Sequence, residues 1–252
     1  MHRFYLPPPQ CQGPTLTLTG AEAHHAIDVL RLKIGEVVFV LDGMGREFSC
    51  SVQAVERKAV TLAVSQTLSS PAPSSRVTLV QAVPKGKLLE TIIQKATELG
   101  AFRIIPLLSE RVATRLENEA ANHKAEKWRR DAIEAIKQCG QRWLPQVEAP
   151  VTLPALLARR ETFDLSFVGS LQSDARQPRE YFQSLQNDAK GRPSSVCLWI
   201  GPEGDFTDAE LEAIRTAGAR PISLGPLVLR CDTAALYTLS IVSYELQSWP
   251  TT

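Results

Sequence analysis

The five cysteines, at 11, 50, 139, 197 and 231, are odd in number, and no two stand in C-x-x-C spacing. A disulfide framework and a zinc site therefore have no support, and reduced thiols in a cytosol are expected. Long apolar runs are missing too. None approaches the roughly 20 residues of a membrane span, and "MHRFYLPPPQ" carries no apolar core of signal-peptide length. No membrane partner and no metal are expected. H-E-x-x-H, G-x-S-x-G and Walker A patterns are absent, which leaves zinc-protease, serine-hydrolase and P-loop chemistry without a motif. No charge sign dominates: the net charge is +1, which points to no polyanionic or polycationic character for the whole chain.

What is present reads as a soluble globular protein, with 44% hydrophobic and 22% charged residues in 252. Charge is uneven. Residues 111–142 hold eight Lys/Arg against five Asp/Glu, whereas 195–252 hold three against seven. The clearest seam is "SSPAPSS" at 69–75, a linker-like stretch. Before it, "TLTLT", "EVVFVLDG", "REFSCSVQAVE" and "AVTLAVSQTL" alternate as strands, interrupted by one helical segment, "AEAHHAIDVLRL". Several short strands in so few residues predict a small barrel or sandwich over 1–70. After the seam, strands and helices alternate over 76–252, the pattern of an α/β, mostly parallel sheet flanked by helices. A long helix is predicted over 117–139, and Thr207 with Glu210 forms a capping box ahead of "LEAIRTAG".

Two loops stand out. "GPEG" at 201–204 and "LGPLVLRCDTAAL" at 224–236 each follow a strand and precede a helix. In a parallel sheet both open on the C-terminal edge, where ligands bind. "LDGMG", by contrast, is followed by a strand and reads as a hairpin turn. His24 and His25 are adjacent, diverge by about 100° on a helix and cannot share a metal. Glu203 and Asp205 would repel a pyrophosphate, and no cation in the loop offsets them. A helix N-terminus favours an anion by only about 0.3–1 kcal/mol. A ligand without phosphates fits better. S-adenosylmethionine, with its sulfonium, ammonium, carboxylate and ribose hydroxyls, is one that does, although this reasoning does not single it out.

"LWIGPEGDFTDAEL" and "ISLGPLVLRCDTAAL" resemble the two cofactor-loop motifs of the SPOUT methyltransferases, and more narrowly of the RsmE family of ribosomal-RNA uridine-N3 methyltransferases. "HRFYL", "HHAIDVLRLKIGE", "LDGMGREF", "KGKLLETIIQKATELG", "SERV" and "EAIKQCGQRWLP" match in order along most of the chain. The resemblance implies an N-terminal PUA-like β-barrel domain (1–70) that binds RNA. It also implies a C-terminal SPOUT α/β domain (76–252) with a deep trefoil knot, an exception to unknotted topology. It further implies a homodimer and a cytoplasmic enzyme using S-adenosylmethionine to methylate N3 of a uridine in 16S ribosomal RNA, in the small subunit or a late precursor. The cofactor would contact Ile200, Gly201, Pro202, Glu203 and Gly204 in the first loop, and Leu224, Gly225, Leu227 and Leu229 in the second. Four positions depart from the family: Asp205 where glycine is usual, Cys231 and Asp232 where Thr-Glu is usual, and Gln141 where arginine is common, with Arg142 beside it.

Uracil N3 must lose a proton before it attacks the methyl donor. Arg230 would hold the uracil oxygens or a phosphate, and Asp232 would act as base or positioner. A contact between the two that merely stiffens the loop is the alternative. RNA would be held by Arg3, Lys85, Lys87, Arg111, Arg129, Arg130 and Arg142, with strong salt dependence. Two other readings remain open: a knotted RNA-binding protein without catalysis, and a SPOUT methyltransferase acting on a different RNA.

Overall fold

A computed structural model describes residues 2–111, 118–188 and 191–249, with the side chains of the 118–139 helix described from residue 121 on. The chain divides into two compact units, Met1–Ala72 with Ile133–Leu144, and Pro73–Ala132 with Pro145–Thr252. The first unit therefore takes in a segment well beyond the seam at 69–75.

The first unit is built on a five-stranded sheet in the order β1-β3-β4-β5-β2, from β1 (Arg3–Tyr5), β2 (Thr15–Thr19), β3 (Val37–Leu41), β4 (Arg46–Val55) and β5 (Ala59–Ser69). Pairing is antiparallel except for β1 against β3. Alternation decides the buried face: Leu16 and Leu18 point inward from "TLTLT", and Val38 and Val40 do so from β3. Register shifts at Ser49/Cys50 and Val52/Ala54 mark bulges, which curl a sheet of long strands. The helix predicted at 21–32 is shorter and changes type. α1 (Gly20–His24) passes into one π-helical stretch, His25–Val29.

"LDGMG" is the hairpin turn expected from the sequence. The buried Asp42 carboxylate accepts from the backbone N–H groups of Met44 (2.8 Å) and Arg46 (2.9 Å) and from Arg46 Nε (2.6 Å). The segment 140–144 closes on this turn. Leu144 N–H donates to the Gly43 carbonyl, and the Trp143 indole donates to Pro71. Tyr5, Leu41, Ile133 and Ile136 form a small apolar cluster there, with Leu144 packed against it.

The second unit holds a seven-stranded sheet, parallel in every pairing. Its strands are β6 (Arg76–Ala82), β7 (Arg103–Leu108), β8 (Gln146–Val147), β9 (Val151–Thr152), β10 (Leu165–Gly169), β11 (Ser195–Ile200) and β12 (Arg220–Ile222). The order is β12-β10-β11-β6-β7-β8, with β9 also on β7. Helices are α2 (Leu88–Glu98), α3 (Asn118–Cys139), whose residues from Ile133 on belong to the first unit, α4 (Leu153–Leu157), α5 (Pro178–Asn187), α6 (Asp208–Thr216) and α7 (Cys231–Gln247). The predicted start of α3 at 117 lies outside the described residues. β11 reads "SVCLWI" and is buried along almost its whole length, as a central parallel strand must be. α2 and α7 pack on each other, and α7 also meets β11 and α5.

Gly45 has φ 94°, and a Cβ there would lie 2.7 Å from the Ser70 carbonyl oxygen and 2.7 Å from the Trp143 ring. Gly45→Ala is expected to cost about 1–3 kcal/mol and to lower the melting temperature by several degrees in a thermal scan. A parental melting temperature would show that the turn can relax around a side chain.

Candidate active site

β10, β11 and β12 are consecutive in the chain but not in the sheet. The chain steps from β10 to β11 on one side and then crosses back to β12 on the other side of β10. Such a reversal opens a crevice at the C-terminal ends of parallel strands. A pocket of about 300 Å³ lies there, between the segment after β10, the loop after β11, the loop after β12 and the start of α7.

The loop after β11 is a tight turn, closed by Asp205 N–H on the Pro202 carbonyl (3.0 Å). Asp205 takes φ 60°, where glycine is cheapest and Asp is among the better-tolerated residues. Its Oδ1 accepts from Phe206 N–H at 2.8 Å, which fixes the turn from within. The family departure at 205 is thus accommodated locally. Neighbouring loops are tied on as well. Glu203 Oε1 accepts from Lys85 N–H at 3.0 Å, and Arg111 donates to the Gly204 carbonyl. The buried Glu210 carboxylate accepts from Thr207 N–H (2.9 Å), Thr207 Oγ1 (3.2 Å) and Glu110 N–H (2.8 Å), so the capping box also anchors the segment after β7.

Of the nine residues expected at the cofactor, all but Gly204 line the pocket. Gly204 instead offers its carbonyl to Arg111. Sequence reading missed Gly169, Ser170 and Leu171, which form a third wall, and also Val228, Cys231 and Ala234. The "GS" ending β10 was the available signal, but only the strand order puts it beside the other two loops.

Arg230 lines the pocket and is the N-cap of α7, yet supplies no side-chain cap. Its guanidinium is 80% exposed, and its Nε lies 3.8 Å from Asp232 Oδ1. A pair that long and that exposed holds little energy, so it does not lock the loop. Asp232 Oδ1 is itself buried without a hydrogen-bond partner. Burial, then the carboxylates of Glu203 and Asp232, push the Cys231 thiol upward. It therefore stays protonated at neutral pH and is not a thiolate nucleophile.

The expected RNA contacts fall on both units. Arg142 donates to Ser70 (2.8 Å) and Glu47 (3.2 Å), and Arg3 approaches Glu47 at 3.9 Å and the carbonyls of Lys137 and Gln138 at 3.4 Å. Both guanidinium groups are thus engaged inside the first unit. Lys85 and Lys87 are exposed at the turn before α2, Arg111 at the Gly204 turn, and Arg129 and Arg130 on α3. Elsewhere on the basic stretch, Lys127 pairs with Glu90 and Lys137 with Glu22 and Glu134. Arg115 lies outside the described residues. No group of three or more potential metal ligands occurs among the described residues, and no described helix is long and apolar enough to cross a membrane.

Residues 70–243 match the RNA methyltransferase domain family, and residues 18–65 match the PUA domain of RNA methyltransferases. The chain thereby falls in the class of RNA methyltransferases. Ribosomal RNA small subunit methyltransferase E of Bacillus subtilis is 33% identical, covering 94% of this chain and 92% of that protein. Its counterpart in Synechocystis is 35% identical, over 98% of this chain and 78% of that one. A methyltransferase structure from Legionella pneumophila, in complex with S-adenosylmethionine, is 32% identical with a TM-score of 0.85, over 96% of each chain. The chain belongs to the ribosomal RNA small subunit methyltransferase E family, and is an rRNA methyltransferase.

A Cβ on Gly201 would sit 2.9 Å from Asp205 Oδ1 and 3.2 Å from Phe206 N. Gly201→Ala should therefore lower the melting temperature, and adding Asp205→Gly should recover much of the loss. Additive losses in the double variant would contradict the contact.

Proposed function

We propose that this chain transfers the methyl group of S-adenosylmethionine to N3 of one uridine in 16S ribosomal RNA of the small subunit. The observation that carries the reading is the pocket at the strand-order reversal, walled by carbon and rimmed by carboxylates. Leu171, Leu224, Leu227 and Leu229 offer apolar surface for an adenine, while Glu203 and Asp205 favour a cationic sulfonium and ammonium. The uncapped first turn of α7 offers backbone N–H groups to a carboxylate. The Legionella relative was solved with that cofactor.

When bound, the cofactor supplies an electrophilic methyl group that needs no metal. The remaining work falls to the protein. Deprotonating an imide spreads negative charge over N3 and its two flanking oxygens. Arg230, exposed at the pocket mouth, would stabilise that charge, and Asp232, 3.8 Å from its Nε, would act as base or positioner. A thiol rather than a thiolate at Cys231 leaves no competing nucleophile beside the methyl donor.

The same reading assigns RNA binding to the 1–70 domain and methyl transfer to 76–252, with the C-terminal segment threaded as a trefoil knot. The crossing from β11 back to β12, followed by the return of α7 to β11, α2 and α5, supports the knot. It also makes the protein a cytoplasmic homodimer. Thr233, Tyr237, Ser240, Tyr244 and Gln247 form an exposed stripe on α7, next to the exposed Leu227 and Val228, and a second copy would cover them. The five cysteines are all free thiols, in keeping with a reducing compartment. Asp205, a departure that a knotted RNA-binding protein without catalysis would explain, fits its turn without loss of the pocket.

Arg230→Ala should lower methylation of small subunits by about 10² to 10³ while the calorimetric affinity for S-adenosylmethionine holds. Asp232→Asn should lose less at high pH than at neutral pH, because solvent base then replaces the carboxylate. A pH-independent defect would make Asp232 a positioning partner of Arg230. Gly225, at φ 108° with open space around it, should lose cofactor affinity on substitution by valine through backbone strain rather than a clash. Parental affinity in Gly225→Val would move the cofactor elsewhere.

A further inference from the structure

Within the first unit, Arg3 and Arg142 are engaged by Glu47, at 3.9 and 3.2 Å. Four cations of this unit, Arg31, Lys33, Arg57 and Lys58, are exposed and have no carboxylate within ion-pairing distance among the described residues. They stand at one end of the sheet. Gly35 N–H donates to the Val52 carbonyl (2.8 Å), and Val52 N–H donates to the Glu36 carbonyl (2.9 Å). The loop that carries Arg31 and Lys33 thus runs alongside the end of β4. Arg57 and Lys58 form the turn from β4 to β5, closed by Glu56 N–H on the Ala59 carbonyl at 2.9 Å.

Three carboxylates stand near these four cations and keep their charge: Asp28, bonded to His24 at 2.6 Å, Glu36, which accepts from the Lys33 backbone N–H at 3.2 Å, and Glu56, so none of them pairs directly with a cation of the group. Apolar side chains stand open beside the cations: Ile34 is 70% exposed and Val37 61%. Arg31 takes φ 55° at the end of the π-helical stretch, the left-handed position where glycine normally ends a helix, and an arginine there costs stability that glycine would not.

We propose that this end of the first unit, Arg31–Val37 with the Arg57–Lys58 turn, is the surface that docks ribosomal RNA. The four cations take backbone phosphates, and the exposed aliphatic side chains lie against sugars or bases. The proposal rests on the rRNA methyltransferase reading above and assigns the RNA-contacting residues of its N-terminal domain.

The test uses the full chain, small ribosomal subunits lacking the modification as probe, and a salt titration. The quadruple variant Arg31→Ala, Lys33→Ala, Arg57→Ala, Lys58→Ala should bind at least 10-fold more weakly at physiological salt. The slope of log affinity against log salt should become shallower by about 3. KM for subunits should rise while S-adenosylmethionine affinity is unchanged. Arg31→Gly separates function from folding: it should melt at or above the parental temperature and still bind RNA more weakly. A quadruple variant with parental affinity and slope overturns the surface alone and leaves these residues to a protein partner or to solvent. A parental chain that neither binds nor methylates the subunits overturns the function as well.

Discussion

Three parallel strands end side by side although the chain visits them out of spatial order, and the chemistry at the C-terminal edge depends on that reversal. With β10 lying between β11 and β12, the segments after all three strands open on one crevice. Had β12 been added beyond β11's other neighbour, the loop carrying Leu224 to Arg230 would face a different gap. The crevice is then held by carboxylates used as acceptors. Glu203 fixes the turn before α2, and the buried Glu210 binds the start of α6 to the segment after β7. These groups work as backbone anchors, which explains why a loop facing a small molecule can carry so much negative charge without being repelled by its surroundings.

The same charge sets the chemistry. A pocket rimmed by Glu203 and Asp205 opposes phosphate and favours a cation, and the arginine at its mouth points toward solvent. The Cys231 thiol, pushed up by burial and by Glu203 and Asp232, remains neutral. Burial above all does the same for Cys11, helped by Asp42, and for Cys50, both pushed up to about 11, which makes them packing residues rather than nucleophiles.

Much of this was legible in the sequence, and the remainder shares one cause. The strands of both units, the Thr207–Glu210 capping box and the "LDGMG" hairpin are local, written in alternation and turn residues within a few positions. The loops at 201–204 and 224–229 were legible because each joins an apolar run to a helix. The third wall at 169–171 was not, because only the order of strands brings it there. Neither was the engagement of Arg3 and Arg142 by Glu47, partners 44 and 95 positions apart. The return of 133–144 to the first unit is equally non-local, and it follows that a cut near residue 75 would strip Ile136 and Leu144 of Tyr5 and Leu41. The π-helical stretch His25–Val29 has no periodic signature that separates it from an α-helix over five residues.

The central claim is that the crevice at the strand reversal serves methylation of a single small-subunit uridine at N3. Mass-spectrometric mapping of 16S rRNA from a strain deleted for this chain tests it most directly. The account predicts one 3-methyluridine lost in the deletion and restored by the intact chain but not by the Arg230→Ala variant. An unchanged set of methylated uridines, or loss of a methyl group from a different base or RNA, would contradict it.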